Sequence, residues 1–185
     1  MNVRLLQLVS PSLPVGAYSY SQGLEAAVEA RVVTDAQSAA QWIGDLLALS
    51  VASMEAPVLL RLIDAWSRED APCAKRWNAE FVASRETSEL RAETLQMGYS
   101  LRTLLRDLDV RGSDVLDAFD ELAYPTAFAL AVSRWNIEPR EAVEAYLFAW
   151  IENQALAALK AVPLGQTDGQ RMVMSLASRI PAAVD

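Results

Sequence analysis

The amino-acid sequence predicts an all-α, single-domain helical bundle of roughly eight to ten helices over residues 1–185. Three observations carry that expectation. Apolar residues recur at spacings of three and four along most of the chain, and no run alternates with period two for long enough to make a strand. Prolines stand where helices would open or close, the places a residue without an N–H is tolerated. Hydrophobic residues make up 52% of the chain, with only 7 glycines and 8 prolines and no low-complexity linker. That composition suits one sizeable core and not a disordered chain.

Taken in order, Val3–Val9 reads as a helical turn or two before a proline-limited loop, Ser10–Gly16. Tyr18–Ala30 places Tyr20, Leu24, Ala27 and Val28 on one helical face. Thr34 with Gln37 has capping-box spacing, and Trp42, Leu46, Leu49 and Ala52 then mark a long amphipathic helix. Pro57 fits the first turn of a successor, Glu55–Trp66. Ala71–Ser84 and Arg85–Leu108 follow, the latter with Leu90, Thr94, Met97, Leu101, Leu104 and Leu108 as its stripe. Arg111–Asp114 reads as a turn whose Ser113 or Asp114 caps a helix Val115–Ala123. Pro125 opens Thr126–Trp135, and Pro139 opens a central helix. Ala145–Val162 is apolar almost all round, broken by Glu152, Asn153, Gln154 and Lys160, which predicts a buried core helix and not a membrane span. Pro163 ends it, Thr167 with Gln170 predicts a new capped start, and Pro181 marks the last helix as finished.

The composition also excludes chemistry. With 16 basic against 24 acidic residues the net charge is −8, which disfavours nucleic acid and anionic membranes. There is no histidine, the commonest general base near neutral pH and the commonest metal ligand. Neither a Ser-His nor a Cys-His pair can be built, and no phosphate-binding P-loop motif is present. The lone Cys73 rules out an internal disulfide and fits a reducing cytosol; no secretory signal is legible at the N-terminus, so the expected location is the cytoplasm. Carboxylate pairs such as Asp117 with Asp120 and Glu141 with Glu144 read as solvated helix faces. No enzyme activity, cofactor or metal site is expected.

What remains is the stretch around Pro163. Lys160 is the only charge between Gln154 and Asp168, and Arg171 lies just past the turn, so two cations can flank one exposed loop. A cation at a helix C-terminus also compensates the helix dipole, so Lys160 has two readings. Asn153 and Gln154 need several hydrogen-bond partners, which points to a structural network. Tyr18 and Tyr20 suit either core packing or a partner surface, and the five tryptophans read as packing residues.

The run NQALAALKAVPLGQTDGQR, with Asn153, Gln154, Lys160 and Pro163–Arg171 in place, resembles the signature of UreF-type urease accessory proteins. Ser10–Glu25, SPSLPVGAYSYSQGLE, is similar to that family's opening motif, and Trp42, Arg85–Glu86, Gln96–Gly98 and Pro125–Phe128 extend the likeness over nearly the whole chain. The resemblance implies a helical, dimeric, non-enzymatic scaffold. It would bridge a UreD/UreH-type accessory protein and the GTPase UreG during nickel insertion into apo-urease, with nickel passing through the assembly and not held tightly here. The implied GTPase-facing residues are Lys160, Gln166, Asp168, Gln170 and Arg171; the opening motif implies partner contacts at Tyr18, Tyr20, Gln22 and Glu25. Two departures stand out. Gln22 occupies a position where the family often has histidine, which puts a nickel-ligand role there in doubt. The family's C-terminal tail, associated with docking to the UreD/UreH-type partner, is absent, so that docking is expected to suffer. A helical small-ligand-binding domain with a carboxylate site and a raised carboxylate pKa, or a generic dimerisation domain, is the alternative reading.

Overall fold

A computed structural model describes residues 2–17 and 21–184. The all-α expectation holds: ten α-helices are present, and no strand occurs among the described residues. They are α1 (Val3–Leu8), α2 (Leu24–Glu29), α3 (Ala36–Leu46), α4 (Ala56–Ser67), α5 (Ala71–Ala83), α6 (Ser88–Asp107), α7 (Tyr124–Arg134), α8 (Pro139–Ala161), α9 (Gln166–Ala177) and α10 (Ile180–Val184). A π-helical segment, Leu47–Glu55, joins α3 to α4, and a 3-10 segment, Ser113–Ala118, precedes α7.

The chain forms two compact units, residues 1–17 with 57–143 and residues 18–56 with 144–185. In the first, α7 is the core: every residue from Pro125 to Val132 is buried, and α6 and α5 pack on it. Gly98 sets how close α6 comes, because a Cβ there would lie 2.0 Å from the Leu122 carbonyl oxygen. Ala123, the residue before α7, has no capping side chain of its own. Distant residues cap the helix instead. The Ala123 N–H donates to Asn78 Oδ1 at 2.9 Å and the Tyr124 N–H to Thr94 Oγ1 at 3.1 Å. The Thr126 hydroxyl also donates to Asn78 Oδ1 at 2.8 Å, while Asn78 Nδ2 donates to the Glu121 carbonyl at 2.7 Å. Trp66 is buried and its indole N–H donates to the Thr126 carbonyl at 3.0 Å, as expected of a packing residue.

In the second unit, α9 packs on α3, and α10 on the π-helical segment. The buried helix expected around Ala145–Val162 is present within α8, with Tyr146, Leu147, Trp150, Ile151, Ala155 and Ala158 in the core. The expected network is incomplete, since Gln154 is fully buried and neither amide atom has a hydrogen-bond partner.

Several local expectations are corrected. The cap of α3 is Asp35, one residue beyond Thr34. Its carboxylate accepts the Ser38 N–H at 2.8 Å, and Ser38 Oγ accepts the Asp35 N–H at 3.1 Å. An ionised carboxylate is a stronger acceptor for a helix N-terminus than a hydroxyl. The buried stripe is accordingly Ala39, Ile43, Leu47 and Val51, and Leu49 is 80% exposed. Pro57 does lie in the first turn of a successor, α4, but that helix follows the π-helical segment without a break, so the run is helical from Ala36 to Ser67. The preceding segment bonds in the i→i+5 pattern (the Ala56 N–H reaches the Val51 carbonyl), which moves the chain out of the register in which a proline ring meets a helical carbonyl. This run is long and apolar enough to cross a membrane by length and composition, a test that core helices also pass. Residues 113–118 form a 3-10 segment behind left-handed Gly112, not an α-helix from Val115 to Ala123. Thr87, not the start at Arg85, caps α6, and its buried face turns to Leu105, leaving Leu108 exposed. Helix α9 starts at Gln166 behind Gly165, so Thr167 lies inside the first turn and caps nothing. Pro181 sits in the first turn of α10, where its missing N–H costs nothing.

Candidate functional site

The residues around Pro163 all lie in the second unit. Helix α8 ends at Ala161, one residue before Val162 and two before the proline. Leu164 then bonds back to the Val162 carbonyl at 2.7 Å, a tight turn that carries the chain directly into α9. The first turn of α9 is set by backbone bonds from Asp168 and Gly169 to the Gly165 carbonyl, at 3.0 and 3.2 Å. Gly169 is buried where α9 meets α8: a Cβ at this position would lie 2.6 Å from Leu159 Cδ1. A side chain here would have to displace that of Leu159. The crossing point is therefore fixed one residue before Lys160 and two before Arg171.

On this mount the five expected turn residues present their polar groups. Lys160, Gln166, Gln170 and Arg171 are exposed, and Asp168 is half-buried. Arg171 Nη1 donates to Asp168 Oδ1 at 3.1 Å, an i,i+3 pair at the helix start. Among the described residues Lys160 has neither an ion pair nor a hydrogen-bonded partner, and it stands in the last turn of α8, where the dipole favours a cation. The sequence places the two cations on one turn. The structure adds that one is held by an internal carboxylate and the other is not.

The opening motif is described only in part. Tyr18 and Tyr20 lie outside the described residues. Glu25 is exposed in the first turn of α2, behind Gly23 in a left-handed conformation. Gln22 is half-buried and also left-handed, with φ 49°, and its Oε1 accepts the Trp150 indole N–H at 2.7 Å. This position acts as the acceptor that seats the motif on α8. Trp150 precedes Lys160 by ten residues, roughly 15 Å along a helix at its ordinary rise. Sequence reasoning did not find this bond, because its partners are 128 residues apart. It likewise missed Glu55, buried in the π-helical segment, whose Oε2 accepts the Tyr146 hydroxyl at 3.0 Å. A lone glutamate in a helical run carries no signal of that pairing.

A cleft of about 410 Å³ opens in the first unit, lined by Lys75, Asn78, Arg91, Phe119, Asp120 and Glu121 among others. Much of its polar lining is already engaged. Arg91 bonds both carboxylate oxygens of Glu121 at 2.6 Å, which raises the guanidinium above its ordinary pKa, and Asn78 is committed to the start of α7. No group of three or more acidic or cysteine side chains suited to a metal ion occurs among the described residues.

Comparison with known proteins bears on the same stretch. The UreF family profile matches residues 33–177, taking in α3 through α9. The chain belongs to the UreF family. It is 53% identical over 184 residues to the urease accessory protein UreF of Dechloromonas aromatica (strain RCB), covering 97% of this chain and 81% of that one. It is also 53% identical to the UreF of Azoarcus sp. (strain BH72), covering 99% and 80%. The Delftia acidovorans (strain DSM 14801 / SPH-1) protein is 50% identical, with 97% and 79% covered. For this UreF-family chain the turn after α8 is thus part of a urease accessory protein.

Proposed function

We propose that this chain is a non-enzymatic scaffold which bridges a UreD/UreH-type accessory protein and the GTPase UreG while nickel is delivered to apo-urease. It works as a homodimer in the cytoplasm, and it takes no cofactor of its own. The observation that carries the reading is Lys160, exposed and, among the described residues, unpaired, beside the point where Gly169 meets Leu159. A recognition group needs to be fixed in place and free to engage a partner's carboxylate, since a cation already paired internally has less to gain from a second pairing. Lys160, with Gln166, Asp168, Gln170 and Arg171 around it, faces the GTPase. Gln22 and Glu25, with Tyr18 and Tyr20, belong to the second contact region. Each residue acts by contact and positioning, and none moves a proton.

The test is co-elution of the chain with its UreD/UreH-type partner and UreG on size exclusion, with nickel and GTP present. All three are expected in one peak. In that complex, Lys160→Ala releases UreG while circular dichroism and thermal stability stay at parent values. Full retention of UreG by Lys160→Ala would remove the site assignment. A chain that elutes alone, both as given and with a family C-terminal tail added, would overturn the scaffold reading.

A further inference from the structure

A second cationic surface lies in the first unit, on α4 and α5. The Arg61 guanidinium sits 4.9 Å from the centre of the Trp77 ring, and the Arg76 guanidinium 5.0 Å from the same ring. Both arginines are exposed, and Trp77 is half-buried between apolar and wet surroundings. The two guanidinium groups are thus no more than about 10 Å apart, within a Debye length at moderate salt, so each feels the other's charge.

The nearby carboxylates do not relieve this. Asp64 is bound to Arg68 at 2.7 Å, Glu69 pairs with Arg134 at 3.5 Å, and Asp70 caps α5 by accepting the Cys73 N–H at 3.0 Å. Glu80 lies one turn beyond Arg76 on α5, yet among the described residues the two form no ion pair. Arg61 donates from Nη1 to the Pro57 carbonyl at 2.9 Å, which steadies its stem and leaves its other N–H groups free to turn outward. In a chain whose net charge is −8, this sets two arginines over one tryptophan ring, neither of them in an ion pair among the described residues.

We infer that Arg61, Arg76 and Trp77 form a docking site for an acidic segment of a partner protein. The planar fork of arginine matches a carboxylate with two parallel hydrogen bonds, and the Trp77 ring lies within cation–π reach of both guanidinium groups. Arginine and tryptophan are the residues in which interface binding energy concentrates. An extended nucleic-acid backbone is a poorer fit, because beyond this small patch its phosphates would meet an acidic protein. This site is separate from the turn after α8 and does not depend on the GTPase assignment.

The probe is a fluorescein-labelled peptide of ten glutamates, titrated against the full chain by fluorescence anisotropy in low salt. A serine-glycine peptide of equal length and a ten-residue oligothymidylate serve as comparators. Saturable binding of the glutamate peptide alone is expected, weakened at least tenfold in Arg61→Gln/Arg76→Gln and within twofold of parent in Arg111→Gln, an exposed cation elsewhere. Trp77→Ser should weaken it several-fold, and thermal unfolding of each variant checks the fold. No saturable binding, a double variant within twofold of parent, or oligothymidylate bound as tightly as the peptide would each overturn the assignment.

Discussion

At Asp35 a single side chain links sequence, local structure and pH. The Ser38 backbone N–H, then the Ser38 hydroxyl, hold its carboxyl below the ordinary aspartate range. A carboxyl depressed in the folded state stabilises the fold above its unfolded pKa, and that stabilisation fades as pH falls through the folded value. Thermal stability of the parent should therefore drop as pH goes below about 4, and Asp35→Asn should flatten that part of the profile. An unchanged profile would mean the cap is not formed in solution. Gln154 gives a prediction of opposite sign. Both its amide atoms are buried without partners, so Gln154→Met removes a desolvation cost at similar volume. Urea denaturation should show a gain of about 1 kcal/mol. Gln22→Leu removes the acceptor of the Trp150 indole N–H and should move that resonance in a nitrogen-15 NMR spectrum, with a loss of about 1 kcal/mol.

Among elements, α7 depends most on its neighbours. Its opening at Pro125 was legible as a helix start, but that start is capped from α5 and α6 by Asn78 and Thr94. Asn78→Leu strands the Ala123 N–H and the Thr126 hydroxyl in the core and should cost about 2–4 kcal/mol, read from denaturant unfolding. A loss under about 0.5 kcal/mol would show that the start of α7 does not need this residue. The α8–α9 crossing is the other element-level constraint. Gly169→Val must displace Leu159 and should destabilise by about 1–3 kcal/mol. It should also weaken UreG retention while Lys160 is still present, because the turn is displaced and not stripped of its charge. Normal retention by a destabilised Gly169→Val would separate the contact from the crossing.

For the whole molecule, two of the three boundaries between the units, 56/57 and 143/144, fall inside helical runs and not in linkers. Domain boundaries ordinarily lie in exposed, flexible connections. We therefore expect residues 1–185 to unfold as one UreF-like domain, with a single calorimetric transition whose calorimetric and van't Hoff enthalpies agree. Two resolved transitions would assign each unit its own stability.

By itself the sequence determined the helical class, most helix ends that proline marks, the burial of α8 and the polar turn after Pro163. Those are local matters: periodicity and backbone chemistry act within a few residues, and the motif that marks the family is contiguous. The continuous run through Pro57, the face that α3 buries, the capping of α7, the Gln22–Trp150 bond and the clustering of Arg61 and Arg76 on Trp77 were decided only by the tertiary structure. Each depends on residues brought together from distant parts of the chain, or on packing that overrides a local signal. Proline and serine look the same in sequence whichever neighbour satisfies the backbone beside them. Which neighbour it is follows from how the helices pack, and that is settled when the core closes.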